Sequence, residues 1–342
     1  MALRRNDSDR PTVKDVSPHA AIPGGDFQIR GKGFTRSARP QVTIGDRVAP
    51  LIVGSDTFVV ARVPDGVSGE ELVVHNGETA SEPCEVPIGV PLADSLHPVA
   101  NPAVDSKGNV FTTFSGSRGQ KTPVAVYKIE PGGNVSPFLT DLMNATGLAF
   151  DHTGLLHISS RFDGIVYQAS SSGVMSVFVE GMGVATGIAF DHENNLYVGD
   201  RSGTIFKISP SRQIYVFATV EPSISAYHLT FGMDDYLYVT GPTTSSFDMV
   251  YRISPSGQVE TFFRGLGRPQ GMAFDLNGNL YVAASRSGRK GIVRITPERE
   301  ASLFLSGPNV VGLAFAPKKN LVITTTSAVY RVNAGVEGKP LP

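Results

Sequence analysis

The sequence predicts an all-β chain, in which a small β-sandwich precedes a six-bladed β-propeller. Three observations carry this. A short motif ending in a turn residue recurs six times, at spacings of 46, 40, 41, 43 and 41 residues. Each copy is followed by short apolar strands in a fixed order. The residues ahead of the first copy alternate apolar and polar between Gly and Pro turns, but do not carry the repeat.

The six copies are NPAVD ending at Asp105, GLAFD at Asp151, GIAFD at Asp191, HLTFG at Gly232, GMAFD at Asp275 and GLAFA at Ala316. A second strand follows each one: GNVFTTF, GLLHISS, NNLYVGD, DYLYVTG, GNLYVAA and KNLVITT. A third comes next, as in AVYKIEP, TIFKISP and AVYRVNA. Five copies have a fourth: SPFLT, SVFVE, YVFAT, ETFFR and SLFLS. Four short strands at a period near 40 describe one blade. Alternation sets one face of each strand into the packing between blades. The Asp that closes most copies is a turn residue able to bond its own backbone two residues on. DLNGN, at Asp275, loosely resembles a calcium loop but lacks the ligand spacing of one.

The sixth copy stops after its third strand. An open sheet edge is a liability, so residues near 86–94 are expected to close the ring by supplying the missing strand. The domain reading is a disordered tail over 1–10, a sandwich over 11–87 and a propeller over 88–342, whose last residues, 334–342, form a tail.

At 342 residues both domains can bury a core of their own. The chain has 30 basic and 31 acidic side chains, a net charge of -1, which gives no general attraction to nucleic acid or anionic membrane. Its one cysteine, Cys84, excludes an internal disulfide and a Cys-rich zinc site. The start, MALRRNDSDRP, has no apolar run behind its arginines, and no stretch is long enough to span a bilayer. The default expectation is therefore the cytoplasm, or an extracytoplasmic location if the N-terminus is processed.

Within residues 11–87, PTVKDVSP, PGGDFQIRGKGF, VTIGDRVA and ARVPDGVSGEELVVHNG resemble the IPT/TIG immunoglobulin-like family in order and spacing. That family includes DNA-binding modules and plain spacers. The resemblance favours a spacer here, because Lys and Arg are not clustered. The repeats PQGMAFDLNGNLYVAAS, TGIAFDHENNLYVGD and TGLAFDHTGLLHISS resemble NHL repeats, whose propellers are mostly binding platforms. More loosely, they are similar to the gluconolactonase and senescence-marker-protein family, six-bladed hydrolases of sugar lactones that use a divalent metal.

In a propeller the start of the innermost strand and the end of the second strand meet at one end of the channel. The residues just before the repeat glycine are Ala100, Thr146, Thr186, Tyr227, Gln270 and Val311. The gluconolactonase resemblance implies an Asn and an Asp at two positions of this kind, and a Glu in the first inner strand. Thr, Tyr and Gln stand there instead, and a hard cation prefers carboxylates. No metal site and no cofactor are therefore predicted; calcium or zinc enters only with the hydrolase alternative. No G-x-S-x-G or H-E-x-x-H motif is present.

His152 and His192 are equivalent turn residues, and His157 alternates within a strand as a packed residue. His228 replaces the repeat glycine beside Tyr227, making it the candidate proton-transfer group should chemistry occur. Beyond the second strands lie Arg161, Arg201 and Arg286, with Asp200 at a strand end. The arginines form either an anion-binding rim or locally paired charges, for instance with Asp163 or Asp200. The expected site is thus Thr146, Thr186, Tyr227, Gln270, Asp200 and the three arginines. Its ligand is a small polar or anionic molecule, or a protein partner, and neither nucleic acid nor membrane. The functional expectation is an NHL-type binding module with an IPT/TIG spacer; the alternative is a gluconolactonase-like hydrolase with a divergent site.

Overall fold

The structure, a computed structural model, describes residues 10–245 and 248–339. The tail expected over 1–10 lies, Arg10 apart, outside the described residues, as do the last three residues of the tail expected over 334–342. The described residues are strands and turns without a helix, so no helix is long and apolar enough to cross a membrane. The chain divides into two compact units. The first is residues 1–90 with 289–291 and 303–308; the second holds the rest.

The first unit is the sandwich. One sheet orders Thr12–Ser17, Asp26–Lys32, Phe58–Arg62 and Leu51–Gly54; the other orders Cys84–Glu85, Glu71–Asn76, Pro40–Ile44 and Arg47–Ala49. Alternation sorts the faces: Phe27 and Ile29 on one strand, Val42 and Ile44 on a second, and Leu72 and Val74 on a third are all fully buried. Asn76 is the polar member of this interior. Its side-chain oxygen accepts from the Ser37 and Ala38 amides at 2.9 and 2.8 Å, and its Nδ2 donates to the Gly33 carbonyl at 2.9 Å, so its burial leaves no group unsatisfied.

The second unit is a six-bladed propeller. Blade two is typical, with an antiparallel meander of Ala145–Phe150, Leu156–Ser160, Val166–Ala169 and Met175–Val179. These four strands are called a to d, from the channel outwards. Blades one, three and four repeat the order from Ala103, Ala185 and His228, and blade five from Met272. In blade six, Val310–Ala316, Asn320–Thr325 and Val329–Asn333 are completed on the outside by Val90–Ala93.

Two devices recur around the ring. At the repeat glycines the innermost strands approach closely. A Cβ on Gly147 would stand 2.4 Å from the Thr186 carbonyl oxygen, one on Gly187 2.3 Å from that of Tyr227, and one on Gly312 2.4 Å from that of Ala100. Only a residue without Cβ fits there. Between blades, the aromatic of strand b packs on a Phe of its own strand d and a Phe of the next strand a. Tyr197 meets Phe217 at 4.9 Å and Phe231 at 5.0 Å, and Tyr238 meets Phe262 at 5.1 Å and Phe274 at 4.8 Å, edge to face.

Candidate functional site

The turn aspartates do more than cap their turns. Asp191 Oδ1 accepts from the Glu193 and Asn195 amides at 3.0 and 2.8 Å, while its Oδ2 accepts from the Tyr197 hydroxyl at 3.1 Å. Asp275 does the same with Asn277, Asn279 and Tyr281. In blade two His157 replaces the tyrosine and sets Nε2 3.1 Å from Asp151. Burial pushes the Tyr197 and Tyr281 hydroxyls far above the ordinary tyrosine range, and the neighbouring Asp charge adds to it. These carboxylates are committed to the fold, and DLNGN is an Asx turn. The repeat signal for the bond, an aromatic or His six residues after the Asp, was visible in the sequence.

The pre-glycine ring is not an open lining. Thr146 is buried and donates to the Asn144 carbonyl at 3.0 Å. Thr186 donates to the Gly199 carbonyl at 2.8 Å and accepts from the Tyr227 amide at 3.1 Å. Tyr227 packs its ring against Gly241, where a Cβ would lie 2.6 Å from it, and spends its hydroxyl on the Glu221 carbonyl. Gln270 alone in this ring is half-buried with a side-chain amide that makes no hydrogen bond among the described residues. Asp200 is buried: its Oδ1 accepts from the Val184 amide at 2.7 Å and its Oδ2 from the Ser202 hydroxyl.

The rim arginines separate. Arg286 ends strand b of blade five and donates to the Ala301 carbonyl. Arg161 feels the charges of Arg201 and of Arg118, which stands exposed in the b–c loop of blade one. Burial lowers the Arg161 pKa, and the charges of Arg201 and Arg118 lower it further. Arg161 donates to the Gly116 carbonyl at 2.8 Å and Arg201 to the Ile224 carbonyl at 3.1 Å, yet the Nε of each is buried without a partner among the described residues. Neither pairs with Asp163 or Asp200; Asp163 instead accepts from the Tyr167 hydroxyl at 2.8 Å. Asn144, at φ 50°, fixes the loop that carries Arg118, accepting from the Gly119 amide at 2.7 Å and donating to the Gly116 and Ser117 carbonyls. Sequence reasoning missed Arg118, although SGSRG aligns with SRFDG and DRSG.

A cavity of about 330 Å3 follows the channel from the repeat glycines towards the a–b turns. His228 lines it, fully desolvated, with its pKa lowered to about 4 by burial, so the imidazole is neutral at pH 7. Among the described residues the lining holds no serine, cysteine, tyrosine or carboxylate; its one hydroxyl, that of Thr230, makes no hydrogen bond to His228. Opposite it in the ring, Asn101 donates to the Met272 carbonyl at 2.9 Å and accepts from the Leu313 amide at 3.0 Å.

The donor set does not fit the divalent metal of the lactone hydrolases. Among the described residues no three of His, Cys, Asp and Glu converge, and the ring hydroxyls are spent on backbone groups.

Residues 11–86 are an IPT/TIG domain: they match that family's sequence model. No curated protein matches the chain. Among solved structures, a protein of unknown function from Bacteroides thetaiotaomicron is 14% identical, with a TM-score of 0.60, covering 96% of this chain and 98% of that one. A gluconolactonase from Xanthomonas campestris is 15% identical, TM-score 0.60, over 75% of this chain and 90% of its own. An auxiliary nutrient binding protein from Bacteroides ovatus is 12% identical, TM-score 0.55, covering 96% and 98%. At such identities the likeness is one of fold alone, an all-β chain with a six-bladed propeller.

Proposed function

We propose that this chain is a binding propeller that takes a small anionic molecule on its b–c loop face, with the IPT/TIG domain as a spacer. The observation that carries this is that the charges of Arg118 and Arg201 act on Arg161, with no carboxylate of the described residues paired to any of the three. Like charges held together in a half-buried rim are costly unless an anion completes them. Each guanidinium keeps N–H groups beyond those given to backbone carbonyls. Gln270 adds an uncommitted amide to orient a polar ligand. A lactone hydrolase is less well supported, since neither a metal-binding set nor an activated nucleophile is assembled.

The test is calorimetric titration of gluconate, citrate and glucose 6-phosphate into the full chain at low and at physiological salt. A charge-assisted hydrogen bond contributes roughly 1.5–3 kcal/mol, so losing one arginine should weaken binding about tenfold or more. The double substitution Arg161→Ala with Arg201→Ala should abolish measurable binding. A ligand bound equally well by that variant would show that another face is used.

A further inference from the structure

Outside the arginine rim, the innermost strands bring two uncommitted polar side chains of the described residues to the channel, His228 and Thr230. His228 occupies the position that blades two, three, five and six give to glycine, and it is 3% exposed. Its ring has no hydrogen-bond partner among the described residues. Asn101, the other side chain at this level, is committed at both ends to Met272 and Leu313. The close approach of the innermost strands at Gly147, Gly187 and Gly312 confines the space beside the imidazole. The imidazole, buried by the protein yet lining the cavity, is available to a ligand that supplies a hydrogen-bond partner.

The walls running from His228 to the a–b turns are apolar except for Thr230, and include Leu148, Ile188, Leu229 and the strand-a phenylalanines. The far end is cationic. The segment 335–339 folds back beside blade five, with the Leu276 amide donating to the Glu337 carbonyl at 2.9 Å and the Lys339 amide to the Phe274 carbonyl at 3.1 Å. This places Lys339 at the cavity end, with His152. No carboxylate side chain of the described residues lines the cavity. Asp235 and Asp234 lie near enough for their charges to act on Lys339, although each also has a partner of its own, Asp234 the Tyr238 hydroxyl at 2.9 Å and Asp235 His192 at 3.4 Å.

We infer that the channel is a second binding site, separate from the arginine rim, for a small carboxylic acid with an apolar body. The acid enters from the a–b turn end past Lys339. Its head group reaches His228 and its body lies against the Leu, Ile and Phe walls. The acid binds as its carboxylate, and the imidazole takes up one proton from solvent as it binds, so an imidazolium–carboxylate pair forms in the channel. About 330 Å3 lies within the range of small-molecule sites.

The experiment titrates octanoate and 4-phenylbutyrate into the full chain, following the imidazole Cε1–H signal of His228 by NMR and the affinity by calorimetry, with octylammonium as comparator. Both acids should bind, shift the His228 signal and make the ring protonate at a higher pH, and octylammonium should not bind. His228→Leu should weaken octanoate at least tenfold and Lys339→Ala by severalfold. The Arg161→Ala, Arg201→Ala variant should bind octanoate as the natural chain does, which keeps this site distinct from the rim. The inference is overturned if neither acid binds, if they bind without moving the His228 signal, or if a folded His228→Leu protein binds them unchanged. Should that variant not fold, the His228 signal of the unsubstituted chain decides.

Discussion

His157 Nε2 lies 3.1 Å from Asp151 Oδ2, in the place where Tyr197 and Tyr281 set a hydroxyl against Asp191 and Asp275. Its ring fills the same aromatic niche, 4.6 Å from Phe178 and 4.8 Å from Phe190. The difference is that His157 Nδ1 is buried without a partner. His157→Tyr restores the repeat's own solution and removes that orphan. It should raise stability by about 0.5–2 kcal/mol in urea denaturation. A loss of similar size would mean that blade two has no room for the hydroxyl.

Acid should weaken the propeller through its buried histidines. Burial lowers the pKa of His157, partly opposed by Asp151, and lowers that of His228 from 6.5 to about 4. Both rings therefore bind a proton more weakly in the folded chain than in the unfolded one. Their effect is absent above about pH 6.5, and stability falls as pH drops below that value. For His228 the loss continues down to about pH 4 and amounts to on the order of 3 kcal/mol. Urea midpoints followed from pH 7 to pH 4 should fall less steeply for His228→Asn than for the natural chain.

Gly147→Ala should destabilise by about 1–3 kcal/mol, the usual cost of overpacking, because the new methyl would stand 2.4 Å from the Thr186 carbonyl oxygen. Gly132→Ala is the control: it lies in a turn between strands, and nothing lies within 4 Å of its Cβ position. Equal melting temperatures for the two variants would contradict the close approach of the innermost strands.

Val90–Ala93 forms the outer strand of blade six against Val329–Asn333. A chain beginning at residue 95 lacks that strand and should melt well below one beginning at residue 87, since an unpaired edge is left on the last blade. Coincident melting curves would show that ring closure contributes nothing to stability.

Much of the fold was legible because a propeller repeats its instructions. Six spaced turn motifs, with alternating apolar strands after each, admit few other architectures, and the truncated sixth copy announced that a strand must come from elsewhere. The site was less legible. Aligning the repeats placed Thr146, Thr186 and Tyr227 in one ring, but could not say that neighbouring backbone carbonyls would consume their hydroxyls. The same alignment grouped Arg286 with Arg161 and Arg201 and passed over Arg118. Which loop charges meet depends on loops such as 115–122, whose course is set by Asn144 and not by the repeat.

The sequence by itself determined the strand order, the number of blades and the identity of the sandwich, because these follow from local periodicity and turn chemistry. It also singled out His228 as the residue that breaks the glycine pattern. The tertiary structure alone decided which polar groups remain unspent. Hydrogen-bond satisfaction is settled across blades, between residues distant in sequence, and only there does Thr186 meet the Tyr227 amide and Asn101 the Leu313 amide, while the Arg161 and Arg201 Nε atoms find no partner among the described residues.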